Sequence, residues 1–556
     1  MKLLNIIIFL LLIIPLVSAK SGEISLLSIV GEDEIKGGIA NLYLEIRPGN
    51  GGIYIDSFPL TKLDTQITTR FSNQIACNFL EVDCSKYDFF YTIRAAASIV
   101  GGPSAGAPTT ILTIAVLDGL KLDEAVVITG TINSGGLIGP VGGVNEKIIA
   151  AANKGFEKVM ISKWQSSFNS SLIKEELEDK ITVVKITNIE EALFHFTGKE
   201  FNKITNNEIA VPRNYVDKMD HVSNILCDRT KLLMLDVDNK NNSLYNQSSK
   251  YLSDAMNSQK KRDFYSTASL CFSANLRLKE LILNDKNDEE LFEVKIETIR
   301  QISELDDEVE NKTMRTLADL ETYMIVKERL IEANEYLKIM NKTNISVSSL
   351  AYSVERAYSA KSWSEFFGLE GKELIVNKEH LEQGCLKKLA EAEERINYIE
   401  LYAPGIMFAT KKQLSYAKID HKNENYALCL FKASKAKAEA NILMTAIGIN
   451  AEEEIDSILE EKFLAIEKII LKEELKNIFP ILGYSYYEYA KTLKEEDPAS
   501  SLTFSEYALE LSNLDMYFPQ KYKNTFPSIN YREILMLGFG AIFGFLVGIL
   551  VILRKK

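Results

Sequence analysis

One serine of this chain lies among the smallest residues of the sequence. Residues 101–106 read GGPSAG, so Ser104 has glycine, proline and alanine around it, and the stretch soon follows the strand-like run Tyr87–Arg94. Small neighbours leave room for a substrate backbone to come within hydrogen-bond distance. Taken alone, the same six residues also fit a tight strand-to-helix turn without any chemical role. A serine hydroxyl is a good nucleophile only when a nearby base takes its proton.

A lysine is the best candidate for that base. The four histidines (His195, His221, His380 and His421) all lie outside the middle of the region that holds Ser104. Lys147 follows Gly142–Gly143 among small and apolar residues, early in a predicted helix. Burial disfavours the charged form of a lysine and lowers its pKa, which would let the amine accept a proton. A surface lysine on an amphipathic helix is the alternative interpretation of this residue.

Several linked motifs resemble those of one protease family. Gly102–Gly106, then Thr129–Gly130, then Gly142–Gly143 leading to Glu146–Lys147, follow one another as in the proteolytic domain of Lon proteases. Ser104 and Lys147 are 43 residues apart, which is also similar to the serine–lysine pairing of that family. The resemblance covers about residues 95–161.

The resemblance implies a role for each matching position. Ser104 would be the nucleophile, Lys147 the general base, and Thr129 the residue that supports the lysine. The unpaired N–H groups at a helix start can hold a developing oxyanion. The residues expected to support the lysine or the oxyanion are Thr129, Gly102, Ala105 and Gly143. We expect no metal and no other cofactor, because the motifs supply the whole reaction.

The sequence departs from the Lon pattern in several places. Gly101 and Thr131 stand where many members have acidic residues, which puts rate and regulation in doubt more than reaction type. Pro108 falls in the first turn of the predicted helix, where its missing N–H is tolerated. The sequence has no GxxxxGK[ST] motif, so we expect no ATP binding, and cleavage limited to unfolded or exposed polypeptide segments.

The elements around these residues predict an α/β domain. Between residues 22 and 198, β-rich segments alternate with helical ones. These segments are Ile24–Val30, Leu42–Arg47, Ala125–Asn133, Lys158–Ile161 and Ile181–Ile186. Residues 199–225 are predicted to form a linker. The fold class is therefore a Lon-type α/β proteolytic domain, followed by an all-α helical-repeat domain at 226–517 and a C-terminal transmembrane helix.

The cysteines indicate an internal repeat in the helical region. Cys227 and Cys271 are 44 residues apart, as are Cys385 and Cys429, with similar residues around the second cysteine of each pair. We interpret these as two helical hairpins, each closed by a disulfide, together forming a stalk. Cys77 and Cys84 would form a third bridge. Four buried free thiols are the alternative, and a zinc site is disfavoured because no CxxC pair or histidine cluster is present.

The two ends of the sequence predict export and a membrane anchor. Residues 1–19 resemble a signal peptide, and residues 534–553 form an uncharged run long enough to cross a bilayer. The final Arg554–Lys556 would remain in the cytoplasm, which leaves the body of the protein outside the cell membrane. Gly540, Gly544 and Gly548 share one helix face and would allow homo-oligomer contacts. A net charge of −13 argues against nucleic acid as a partner.

Three functions fit these residues. The first is a membrane-anchored, ATP-independent serine endopeptidase that uses a Ser–Lys dyad outside the cytoplasm on polypeptide substrates. The second is an inactive Lon-like scaffold that binds partners through its helical repeats. The third is a phosphate-binding site at the glycine-rich turn, as in small-molecule kinases; the lack of a second phosphate motif weakens it.

Overall fold

The computed structural model describes most of the chain. It covers residues 20–30, 36–58, 62–95, 102–165, 180–201, 209–342, 344–447 and 452–518, the single residues 60, 168 and 177, and short pieces at 538–540, 542–546, 548–549 and 553–554. The predicted signal peptide lies outside the described residues, and the predicted membrane span is described only in those short pieces. Within the part that is described, no helix is both long and apolar enough to span a membrane.

The N-terminal region is built on a seven-stranded mixed sheet. The strands of this region are β1 (Lys20–Val30), β2 (Lys36–Pro48), β3 (Ile53–Phe58), β4 (Tyr87–Ala95), β5 (Val126–Ile128), β6 (Thr131–Ile132), β7 (Ile138–Gly139), β8 (Lys158–Ser162) and β9 (Thr182–Ile186). The order in the sheet is β3-β4-β2-β1-β5-β8-β9, and β6 pairs separately with β7. Strands β4, β2 and β1 run antiparallel, whereas β1, β5, β8 and β9 run parallel.

Helices cover this sheet and bury its apolar side chains. They are α1 (Leu63–Leu80), α2 (Gly106–Asp118), α3 (Val144–Lys154) and α4 (Ile189–Thr197). Buried residues alternate along β2, where Leu42, Leu44 and Ile46 point into the core, as the period of a half-buried strand requires. Every residue of α2 up to Leu117 is buried. The turn that carries Ser104 therefore precedes a helix fixed inside the domain.

The predicted strand over Ala125–Asn133 is interrupted in the structure. It divides into β5 and β6, with Thr129 and Gly130 between the two strands, and only Gly130 bonds outside the sheet. Thr129 N–H donates to Met160 at 3.1 Å, and Gly130 bonds to the turn at Ser104. A continuous β pattern hides this break, which is the point where the site is assembled.

The remaining described chain, from Arg213 to Tyr517, is helical. Its α-helices are α5 (Arg213–Leu235), α6 (Ser243–Lys261), α7 (Phe264–Asn284), α8 (Asp288–Glu310), α9 (Leu317–Lys338), α10 (Val347–Trp363), α11 (Lys378–Tyr402), α12 (Phe408–Lys422), α13 (Tyr426–Ile447), α14 (Glu452–Leu475), α15 (Ile481–Leu493) and α16 (Pro498–Leu511). Ile302, Leu305 and Val309 of α8 are buried, as expected from their spacing. The predicted order, an α/β domain followed by helices, is confirmed.

The disulfides join the pairs expected from their spacing. Bonds connect Cys77 with Cys84, Cys227 with Cys271, and Cys385 with Cys429. The two bonds of the helical region join α5 to α7 and α11 to α13, so one helix lies between the joined helices each time. Each repeat unit therefore has three helices, where the sequence suggested a two-helix hairpin.

The helical region packs against the α/β domain instead of extending away from it as a stalk. Ser134, in the β6–β7 turn, donates a hydrogen bond to Glu510 of α16 at 2.9 Å. Lys388 and Lys437 contact the same carboxylate from α11 and α13, and all three charged side chains are buried. Burial alone would raise the pKa of Glu510, but the two ammonium groups outweigh burial and lower it to about 2. The buried charges at the boundary between the two regions are thus paired, and removing one partner would leave an uncompensated buried charge.

Candidate active site

Ser104 lies in a short turn that leads into α2. The turn is a 3-10 helix, Pro103–Ala105, and α2 begins at Gly106. Gly102 precedes it with φ 111° and ψ 152°, a conformation that is essentially limited to glycine. Ser104 is partly exposed. Helix α2 therefore begins two residues after Ser104. Gly101 lies outside the described residues.

Two backbone hydrogen bonds hold the Ser104 turn against Gly130. The N–H of Gly130 donates to the Ser104 carbonyl at 3.2 Å, and the N–H of Ala107 donates to the Gly130 carbonyl at 3.0 Å. Glycine is required for this approach: a Cβ on Gly130 would lie 2.4 Å from Ile138, and a Cβ on Gly106 would lie 3.1 Å from the Ile132 nitrogen. The small residues around Ser104 therefore serve packing as well as access.

Lys147 approaches the neighbouring residue, Thr129, from α3. Its ammonium nitrogen lies 3.3 Å from the Thr129 hydroxyl oxygen and donates a hydrogen bond to it. Only 3% of the lysine is exposed, and Val144 and Ile148 of the same helix are buried beside it. Within the described ranges Lys147 forms no ion pair. Burial therefore lowers the pKa of Lys147 to about 7, so a large fraction of the amine is neutral near neutral pH.

In the structure, both predicted catalytic residues therefore lie next to the dipeptide Thr129–Gly130. The Ser104 turn is bonded to Gly130, and the Lys147 amine is bonded to Thr129. A neutral amine can accept the proton of a serine hydroxyl, and the threonine hydroxyl can orient that amine. The arrangement is suited to nucleophilic catalysis without histidine.

The glycine pair Gly142–Gly143 lies directly before α3, and Gly143 forms the start of that helix. Gly143 adopts φ 60°, and a Cβ there would lie 2.0 Å from the side chain of Ile29. The Gly143 carbonyl accepts the N–H of Lys147 at 3.1 Å, so its observed role is to start the lysine helix. Thr131 is the second position at which the sequence departs from the Lon pattern. It is buried in β6, with its hydroxyl against Gly139. An acidic side chain at this position would be buried as well.

Residues from outside the motifs also shape the site. The Gln165 side-chain amide bonds both backbone groups of Val141, at 2.9 and 2.8 Å, and so fixes the loop before Gly142. The N–H of Gly142 donates to the Tyr398 hydroxyl at 2.9 Å. A Cβ on Gly102 would lie 4.0 Å from the Tyr398 ring. Helix α11 therefore lies over the site and contacts both glycine segments.

A helix in this part of the chain is predicted by the sequence, but its position over the site is not. Besides Tyr398, Arg395 of α11 bonds to the Ile132 carbonyl, and Glu394 accepts a hydrogen bond from Thr68 at 3.0 Å. The only signal is that Lys388, Glu391, Arg395 and Tyr398 recur at intervals of three or four residues. Such a charged stripe is usually a solvent-exposed face.

Comparison with known proteins decides the family of this domain. Residues 79–197 match the C-terminal proteolytic domain of Lon protease (S16). The chain contains a Lon-type proteolytic domain. The matched segment includes Ser104, Thr129 and Lys147, and the resemblance seen in the sequence is confirmed. The family match also supports the predicted enzyme class, a serine endopeptidase.

Curated relatives resemble the Lon-type domain over a limited length. The Lon protease of Desulfovibrio desulfuricans is 35% identical over 116 residues, which are 21% of this chain and 13% of that protein. The archaeal Lon protease of Archaeoglobus fulgidus is 33% identical over 124 residues, 22% of this chain and 20% of that protein. That of Methanothermobacter thermautotrophicus is 33% identical over 113 residues, 20% of this chain and 17% of that protein. The chain therefore spans at most a fifth of the length of these three relatives.

Proposed function

We propose that this protein is a serine endopeptidase in which Ser104 is the nucleophile and Lys147 the general base. One observation carries the proposal: the Lys147 amine is buried without a carboxylate partner in the described structure and bonds to Thr129, while the Ser104 turn is bonded to the adjacent Gly130. With a pKa of about 7, about half of this lysine is neutral near pH 7, which is the state that a base requires.

The proposed reaction follows from the groups present. The Lys147 amine takes the Ser104 proton as the serine oxygen attacks the peptide carbonyl. N–H groups at the turn of Gly102–Ala105 stabilise the oxyanion, and the Lys147 ammonium then gives its proton to the leaving amine. Water repeats the sequence on the acyl-enzyme. Thr129 accepts a hydrogen bond from the lysine throughout and keeps the amine in position.

The proposal includes the compartment and the mode of action. Three disulfides favour an oxidising environment outside the cytoplasm. The apolar residues 534–553 support anchoring in the cell membrane. The lack of a GxxxxGK[ST] motif in the sequence supports ATP-independent cleavage of unfolded or exposed polypeptide segments.

Hydrolysis of casein by the full chain tests this function. The unsubstituted protein is compared with Ser104→Ala and Lys147→Met, each with and without ATP. The matched control is Lys154→Met, an exposed lysine in the last turn of the same helix. We expect cleavage by the unsubstituted protein and the control, none by the two site variants, and no effect of ATP. Equal cleavage by Lys147→Met and the control would exclude the proposed base.

One observation favours the inactive scaffold as the second candidate. Tyr398 of α11 bonds to Gly142 and lies close to Gly102, so a helix covers part of the proposed substrate approach. If the unsubstituted chain cleaves no casein and a serine-directed fluorophosphonate does not label Ser104, the scaffold is the better description. Labelling of Ser104 without casein cleavage would instead indicate a competent site with restricted access.

A further inference from the structure

A cavity of about 300 Å³ lies among the helices of the C-terminal region, away from the motif residues of the Lon-type domain. Helices α5, α7, α9, α10, α13, α15 and α16 contribute to its walls. Its aromatic lining comprises Tyr265, Phe272, Trp363, Tyr486, Tyr489, Phe504 and Tyr507. Several of these rings contact one another edge to face, for example Tyr489 and Phe504 with centroids 4.7 Å apart. The walls thus combine packed aromatic rings with polar and charged side chains.

A buried arginine opens onto this aromatic cavity. Arg329 of α9 lines it and is only 7% exposed. Its guanidinium group stacks on Trp363, with 4.9 Å from the central carbon to the ring centroid. Its Nε and Nη1 have no hydrogen-bond partner among the residues that the structure describes. Burying such donors without an acceptor destabilises a fold, so an unsatisfied guanidinium beside a cavity indicates a missing acceptor.

The neighbouring carboxylates are already engaged by other cations. Lys435 pairs with Glu328 at 2.8 Å, and Arg356 pairs with Glu332 at 2.6 Å. Three cations thus face two carboxylates, and Arg329 is the cation without an ion pair in this part of the structure. Burial first, and the positive charge of Arg356 second, lower the pKa of Arg329 to about 10. The cavity therefore has room and donors for one further negative charge.

We propose that this aromatic cavity binds a carboxylate carried on an aromatic or apolar group. The guanidinium of Arg329, which has no ion pair in the described structure, would donate to a carboxylate, and the rings would pack against the attached side chain. A volume of about 300 Å³ is at the lower end for ligand pockets, which suits a group the size of one amino-acid residue. Glu328 also lines the cavity, and its negative charge would repel a doubly charged phosphate about twice as strongly as a singly charged carboxylate. The C-terminus of a peptide and a free aromatic acid present this same chemistry.

This inference does not rest on the proposed protease activity. All the residues that form the aromatic cavity lie outside residues 79–197, the segment that matches the Lon-type domain.

Calorimetric titration of the full chain tests the proposal. N-acetyl-phenylalanine is compared with its amide, and a peptide ending in phenylalanine is compared with the same peptide amidated; the peptides are measured in Ser104→Ala to prevent turnover. We expect each acid to bind with Kd below about 1 mM and each amide at least about ten-fold more weakly. Binding of both acids indicates that peptide C-termini enter, whereas binding of the small acid alone restricts the ligand to free acids. Equal binding of acids and amides, or no binding, would overturn the proposal.

Variants of the arginine locate the binding. Arg329→Met should weaken binding of the acid at least about ten-fold and leave the affinity for the amide unchanged. Arg329→Lys should retain part of the affinity for the acid. Arg300→Met, at an exposed position of α8, is the matched control and should bind as the unsubstituted chain does. Retained discrimination between acid and amide in Arg329→Met would contradict the assignment. If that variant does not fold, Arg329→Lys and the acid–amide comparison on the unsubstituted chain still decide the question.

Discussion

The pH dependence of peptide cleavage gives the sharpest test of the active-site assignment. Lys147 must be neutral to accept the Ser104 proton, and burial lowers the pKa of this lysine to about 7. An ordinary lysine has a pKa of about 10.4, so that less than about 1% of it would be neutral at pH 8. The position of the rise in activity with pH therefore reports whether the base is the buried lysine.

The expected profile follows from the fraction of neutral amine. With a pKa of about 7, this fraction is about a tenth at pH 6 and about nine tenths at pH 8. We expect kcat/KM to rise about ten-fold per pH unit well below pH 7, to increase about ten-fold in total between pH 6 and 8, and to stay level above pH 8. A lysine with the ordinary pKa would give a rise that continues beyond pH 9.

A short fluorogenic peptide, measured from pH 5.5 to 9.5 at constant ionic strength, provides the assay. Circular dichroism over the same range controls for unfolding, and Ser104→Ala gives the background rate. A kcat/KM that still increases ten-fold between pH 8 and 9 would refute the assignment of Lys147 as a buried base, since the structure requires a plateau there.

Three further predictions concern the same elements. Lys147→Met should stabilise the fold by about 4 kcal/mol at pH 7 and by about 2 kcal/mol at pH 9. The reason is that the unfolded chain binds the lysine proton up to about pH 10, whereas the folded chain binds it only up to about pH 7. A stability difference from urea unfolding that does not change with pH would contradict this prediction. Gly102→Ala should lower kcat/KM at least about ten-fold through backbone strain, since no atom lies closer than 4.0 Å to the new Cβ; unchanged kinetics would show that the turn tolerates a side chain. Replacing both Cys385 and Cys429 with serine should cost about 2–4 kcal/mol of stability, and an unaltered unfolding midpoint would show that this bond does not limit the unfolded chain.

The residues of the candidate site could be proposed from the sequence because their motifs are local. Ser104, Thr129 and Lys147 each belong to a short motif whose glycines are needed for backbone approach, and these motifs are visible in the sequence. What the sequence does not contain is the break in the strand at Thr129 and Gly130. This break depends on hydrogen bonds to a turn some 25 residues earlier, so a local β pattern cannot report it.

The cover of the site could not be predicted for a different reason. Helix α11 reaches the Lon-type domain through charged residues, Glu394 and Arg395, whose partners Thr68 and Ile132 lie 326 and 263 residues earlier in the chain. Charged residues on a helix normally predict a solvent-exposed face. Here their polar atoms find partners on another domain, which only the tertiary structure can supply.

Buried cations without an ion pair occur at the two positions for which we propose a function. Seven lysines and arginines are buried among the described residues: Lys147, Lys327, Arg329, Lys388, Arg395, Lys437 and Lys462. Five of these contact a carboxylate, and the two that do not are Lys147 and Arg329. The chain has 77 acidic against 64 basic residues. A shortage of carboxylates in the sequence therefore does not explain why these two cations have no ion pair. A carboxylate beside Lys147 would hold the amine charged and remove the base, and one beside Arg329 would occupy the donors that a ligand needs. Leaving a buried cation without an ion pair lowers stability at both positions. We expect the reason to be proton transfer at Lys147 and anion binding at Arg329.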